Sequence, residues 1–268
     1  MFDTPDAPQM PKGTLTFRLW KIPVTVKPFF WLIAILFSPY FGGQTQFGDS
    51  RILLLGLLAW VGAWFLNFII HELGHALTAR ALYGARPQIT LFGFGGVTTW
   101  NPYYTRSPGR WGDTLTSLAG PGAELAVTFL LVAFLAFRHV SLEWGSTAFG
   151  PIPIPLVAVN LFASASMTPD AVYLPKVALE IFLNSFIWMG FFWGILNLLP
   201  IIPLDGGHIA RGIFTALSPA SGNRAALWIS MICAAFLLGY CITGKNFFMA
   251  FFFGLFAHQN WTELRRGG

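Results

Sequence analysis

Long runs of apolar residues constrain this chain more than any single motif does. Six stretches, at about 26–42, 52–82, 114–137, 177–199, 225–243 and 245–258, are apolar with few charges. A helix crosses the ~30 Å hydrocarbon layer with about 20 such residues, or somewhat fewer where the bilayer thins. The runs predict an all-α membrane protein of about six transmembrane helices. The second is long enough to tilt or protrude, and the last is short. The stretch 151–167 is also apolar but opens with Pro151, Pro153 and Pro155. It reads as an interfacial or loop segment and not as a span. Hydrophobic residues make up 55% of the chain and charged residues 10%. Soluble domains carry roughly a quarter charged residues, and so little charge could not cover a soluble surface.

The net charge of +5 would suggest nucleic acid in a soluble protein. Here loop asymmetry accounts for it, and no nucleic-acid partner is expected. With the N-terminus in the cytosol, only Arg51, Arg138, Lys176 and Lys245 of the 16 basic residues fall outside. That bias fits the positive-inside rule and predicts six spans with both termini cytosolic. Cys233 and Cys241 share one run, about 12 Å apart along a helix, so no disulfide framework is expected. The first 27 residues are polar and lack a cleavage pattern, so the first span is expected to stay as an anchor. With no repeat and no appended soluble segment, residues 1–268 read as a single polytopic membrane domain.

Late in the second run lies His71-Glu72-Leu73-Gly74-His75. Residues four apart share a helix face, so both imidazoles can reach one ion. Zinc brings the pKa of water near 7, and Glu72, next to the first histidine, could take up and later deliver the proton. A His, a Glu and a His in mid-membrane are costly unless they pair, coordinate or line a wet cavity.

Catalytic zinc takes three protein ligands. Among the candidates, Asp205 stands in Asn197-Leu198-Leu199-Pro200-Ile201-Ile202-Pro203-Leu204-Asp205-Gly206-Gly207, where two prolines and two glycines interrupt the helix. Irregular backbone at membrane depth faces protein or a wet cavity. Taken alone, Asp205 reads better as a cap of the next helix. Topology adds weight: the second and fourth spans run parallel, so His71, His75 and Asp205 approach the same, cytosolic side. Elsewhere, Asp113 reads as a cap, Glu180 as facing the bundle or the interface, and His208 as a loop residue or a neighbour of the site. Trp20, Trp31, Trp100, Trp111 and Trp261 read as interfacial anchors.

Together these residues resemble the site-2 protease family of intramembrane zinc metalloproteases. The family pairs a membrane-embedded HExxH, here His71–His75, with N-x-x-P-x-x-x-x-D-G, here Asn197, Pro200, Asp205 and Gly206. Ala119-Gly120-Pro121-Gly122-Ala123 is similar to the family's A-G-P segment. The resemblance covers about 52–210 and implies a three-helix catalytic core there. It implies one zinc ion on His71, His75 and Asp205, with Glu72 as general acid/base. It further implies a membrane-associated β-like loop near 90–100, whose Gly95 and Gly96 lie by the substrate, and an oxyanion donor at Asn197. A plain glycine-rich connector is the other reading of that loop.

The family usually has Asn where this chain has Glu124. Glu124 in that substrate or oxyanion role would have to be protonated to donate. The implied activity is hydrolysis of a peptide bond in or near the transmembrane segment of a single-span membrane-protein substrate, in a bacterial plasma membrane. The regulator is unspecified. A non-catalytic relative that binds membrane proteins and a divalent-metal transporter are the alternatives.

Overall fold

The computed structural model describes residues 12–41, 50–93, 95–100, 109–149, 152–161 and 173–267. The chain opens with a hairpin of β1 (Leu15–Leu19) and β2 (Ile22–Val26). Trp20 and Lys21 turn it at φ 45° and 69°, the left-handed geometry that matches a two-residue hairpin to strand twist. Helices α1 (Pro28–Leu36) and α2 (Ser50–Tyr83) follow, then β3 (Pro87–Phe92) and β4 (Gly95–Trp100). Next come α3 (Gly112–Phe137), β5 (Ser141–Phe149) and β6 (Ile152–Asn160). The chain ends with α4 (Tyr173–Asn197), α5 (Asp205–Leu217), α6 (Gly222–Thr243) and α7 (Phe247–Arg265).

Two sheets correct the all-α expectation. One has the order β1-β2-β3-β4, with β2 and β3 parallel and the outer pairs antiparallel; the other is the β5–β6 hairpin. Ile22, Val24 and Val26 alternate into the core, where they meet Phe30, Phe68 and Ile69. That period of two spans only five residues inside a polar stretch, too little to stand out from the apolar runs around it. The expected β-like loop is present as β3 and β4.

Four helices are long and apolar enough to cross a membrane: Ser50–Tyr83, Gly112–Phe137, Leu174–Asn197 and Gly222–Thr243. The first expected run yields only the nine-residue α1, about 13 Å long. The last lies in α7, whose second half carries His258, Gln259, Asn260 and Glu263, and falls outside those four. At 34 residues, or about 51 Å, α2 exceeds a bilayer's apolar thickness. The Pro-interrupted stretch 151–167 contributes β6 and makes no helix among its described residues. Asn184 of α4 bonds both the N–H and the carbonyl of Val159, at 2.6 and 3.1 Å, and Glu180 accepts from the Leu161 N–H at 3.0 Å. Glu180 therefore faces the bundle and holds the hairpin onto it. Asp113 does not cap α3: the N-cap is Trp111, without a side-chain bond, and Asp113 accepts from the Tyr83 hydroxyl.

Small residues bring α2, α3 and α4 together, as expected where lipid offers no hydrophobic drive between helices. A Cβ on Gly74 would lie 2.2 Å from the Ala119 carbonyl oxygen of α3. One on Gly190 of α4 would meet Thr128 of α3 at 2.0 Å and Asn67 of α2 at 3.1 Å. Fully buried Asn67 donates to Ala63 and, across to α4, to the Phe186 carbonyl at 3.2 Å. The Trp60 indole donates to Ala34 and ties α1 to α2.

Gly74→Ala forces α2 off α3, and overpacking of this kind costs about 1–3 kcal/mol. A clear fall in Tm in detergent is expected. Gly122→Ala on α3, where a Cβ would meet nothing within 4 Å, leaves Tm unchanged or slightly raised.

Candidate metal centre

His71 and His75 sit one turn apart on α2, and Asp205 is the first residue of α5. The His71 and His75 Nε2 atoms are 3.1 Å apart. One Asp205 oxygen, Oδ2, lies 3.1 Å from the first and 3.3 Å from the second. The ligand atoms of the three residues all lie within 4.8 Å of one another.

The opposite ring atoms decide what faces this point. His75 Nδ1 lies 2.7 Å from the Thr116 carbonyl oxygen. A carbonyl only accepts, so Nδ1 carries a proton, and the neutral ring presents its lone pair at Nε2. His71 Nδ1 lies 3.0 Å from Glu124 Oε2, and a carboxylate there imposes the same tautomer. Two nitrogen lone pairs and a carboxylate oxygen therefore converge on one place. That convergence is repulsive unless positive charge lies between them. The donor set of two imidazoles and one carboxylate fits a catalytic zinc site.

The segment after α4 delivers Asp205. Its Ile202 is held on both sides: the N–H donates to Ser230 Oγ of α6, and the carbonyl accepts from Asn260 Nδ2 of α7, each at 2.7 Å. Ser230 and Asn260 are both buried. The Ile202–Pro203 bond is cis. Gly206 and Gly207 let α5 fold back on the loop, since a Cβ at either would fall within 2.4 Å of the backbone at Leu198 or Ile202. The sequence reading passed over Ser230 and Asn260. For Ser230 the available signal is a polar side chain inside an apolar run, because such groups face the bundle interior; Asn260 lies past the last apolar run, beside His258 and Gln259.

Glu72 is buried beside His71. Thr98 Oγ1 on β4 lies 2.6 Å from its Oε2 and 3.1 Å from its backbone carbonyl. β4 presses close: a Cβ on Gly96 would be 2.5 Å from Glu72 Cγ. A cavity of about 700 Å³ opens here, with His71, Glu72, His75 and Asp205 in its wall. Gly95, Gly96, Thr98, Asn197 and His208 also line it, and Trp60, Trp64, Phe248 and Phe252 make its apolar part. Burial, then the nearby Arg211 charge, lowers the His208 pKa and favours a neutral imidazole. Of the residues expected near substrate, Gly95, Gly96 and Asn197 reach the cavity. Glu124 does not line it: its carboxylate faces His71 Nδ1, on the far side of the ring from the ligand point.

Residues 60–240 match the model of Peptidase family M50. The chain belongs to this family. The match takes in the HExxH histidines, Glu124 and Asp205 and stops before Asn260. This M50 chain is 27% identical over 222 residues to sll0528 of Synechocystis, which is named as a zinc metalloprotease; the match covers 81% of this chain and 48% of that protein. It is 27% identical over 199 residues to Rip3 of Mycobacterium tuberculosis, also named as a zinc metalloprotease, covering 72% of this chain and 39% of Rip3. The chain thus spans about half or less of the length of these relatives. The solved site-2 protease of Methanocaldococcus jannaschii superposes with a TM-score of 0.48 at 20% identity, covering 92% of this chain and 94% of that one.

Ser230→Ala leaves the buried Ile202 N–H without an acceptor, a loss of about 1–3 kcal/mol. A lower Tm is expected in detergent-purified protein. An unchanged Tm would show that the loop bearing Asp205 does not lean on α6.

Proposed function

We propose that this M50 chain is an intramembrane zinc metalloprotease that hydrolyses a peptide bond in or near the transmembrane segment of a membrane-protein substrate. The observation that carries this reading is the convergence of His71 Nε2, His75 Nε2 and Asp205 Oδ2, with both Nδ1 atoms engaged elsewhere. Zinc, when bound, supplies a Lewis acid that polarises a carbonyl and makes water acidic enough to ionise near neutral pH.

The chain's own residues supply the rest. Glu72 takes the proton from the attacking water and returns it to the leaving amine. Thr98 occupies Glu72 Oε2, which aims the carboxylate and leaves Oε1 free to accept. Asn197 lines the cavity, and its amide can donate to the developing oxyanion. A transmembrane helix hides its scissile carbonyls in hydrogen bonds, so the substrate must unwind. β4 ends the sheet order β1-β2-β3-β4 and lines the cavity through Gly95, Gly96 and Thr98. An extended substrate can pair there by strand addition.

The basic residues favour both termini in the cytosol and the site toward that side. A bacterial plasma membrane and a single-span substrate complete the reading. Metal transport is less well supported, because the three ligands form one compact cluster and not a path through the bundle.

Glu72→Gln tests the assignment. It is expected to bind zinc as wild type does and to lose cleavage of a reconstituted membrane-protein substrate by about 10²–10⁴-fold. Turnover that survives this substitution would remove Glu72 from the role.

A further inference from the structure

The buried carboxylate of Glu124 has no place in the chemistry above, yet it sits 3.0 Å from a ring nitrogen of His71. We propose that Glu124 is a positioning residue for the metal centre: it accepts the His71 Nδ1 proton, fixes the ring, and strengthens Nε2 as a zinc donor. The inference rests on the reading of His71, His75 and Asp205 as zinc ligands and deepens it.

Three residues of α3 meet the two imidazoles. Thr116, Gly120 and Glu124 are spaced by four, so they share one helix face. The Thr116 carbonyl accepts from His75 Nδ1 at 2.7 Å. Gly120 leaves room for the His75 ring, since a Cβ there would be 2.2 Å from its Nε2. Glu124, one turn further, reaches His71. α3 is thus a cradle that holds both imidazoles from behind, with a neutral acceptor for one and a carboxylate for the other. A carboxylate behind a ligating histidine fixes the tautomer and raises donor basicity.

Charge balance supports the same role. Glu124 is 2% exposed, and a lone buried carboxylate is expensive. His71 cannot offset it as a cation while giving its Nε2 lone pair to a metal. With Glu72 buried beside them, a dication offsets two of three carboxylate charges, so Glu124 adds to the affinity of the site for Zn²⁺. This also accounts for why Glu124 faces away from the cavity. An oxyanion donor would have to reach the reacting carbonyl, whereas a partner of His71 need only reach Nδ1.

The test is Zn²⁺ affinity of the full chain in detergent, with Glu124→Leu, Glu124→Gln and Thr128→Val beside wild type. Leu keeps the bulk and removes the acceptor, and a loss of about 10–100-fold in affinity is expected. Gln keeps an acceptor oxygen without the charge and should recover part of that loss. Thr128, buried one turn on and bonded to the Glu124 carbonyl, serves as control, and its variant should bind like wild type. The second readout is the zinc-bound His71 Nδ1–H resonance in ¹⁵N-histidine-labelled protein. It should lie far downfield in wild type, move upfield in Gln, and be lost to exchange in Leu, changes that packing alone would not produce. Zinc held within twofold of wild type by Glu124→Leu would overturn the inference while leaving the three ligands in place. If the Leu variant does not fold, a His71 resonance in Gln identical to wild type would overturn it. Wild type without zinc would instead remove the ligand assignment itself, and the inference with it.

Discussion

Three acceptor atoms held face to face are the constraint on which the rest of this structure depends. His71 Nε2, His75 Nε2 and Asp205 Oδ2 stand about a hydrogen-bond length apart, yet each has been left with electrons to give. The tautomers are imposed from behind by Thr116 and Glu124. Without a metal ion or a proton between them these atoms repel, so the packing of the fold has to bring them together. Two elements far apart in sequence must be fixed to a fraction of an ångström: the middle of α2 and the start of α5.

The packing of the bundle serves that purpose. Gly74 lets α2 touch the backbone of α3 next to the histidines, and Asn67, one turn before His71, bonds α2 to α4. α4 ends where the Asp205 loop begins, and Ser230 and Asn260 grip that loop at Ile202. Buried polar bonds of this kind are few in a lipid-facing bundle, and each fixes a register. The sheet contributes from the other side. β4 lies against Glu72 and supplies Thr98 to its carboxylate, so the same strand that could receive a substrate also aims the proposed base.

Much of this was legible in the sequence because the bilayer makes polarity conspicuous. His71, Glu72 and His75 stand out in an apolar run, and their spacing places them on one face. Asp205 was legible through its Pro and Gly surroundings and through topology, which put it on the same side as the histidines. The four long helices follow from length alone. What was hidden is local and small. β1 and β2 carry their pattern in five residues each, and the apolar first run breaks off after nine helical residues. β6 is apolar enough to imitate a span, but its prolines keep it extended against α4. Glu124 was visible as a departure from the expected Asn, yet only the rotation of α3 about its axis shows that it faces His71 and not the cavity. Ser230 and Asn260 both bond a backbone, and a backbone partner leaves no mark in the sequence.

The proposed metal site is assembled from two segments, and the most direct measurement is zinc content per chain of detergent-purified protein, wild type against Asp205→Ala. About one tightly held zinc is expected in wild type, and a site emptied or greatly weakened in the variant, whose fold is otherwise kept by Ser230 and Asn260. Equal zinc in both proteins would contradict this assembly, because the histidine pair would then be holding the metal without the loop that the rest of the fold is built to bring there.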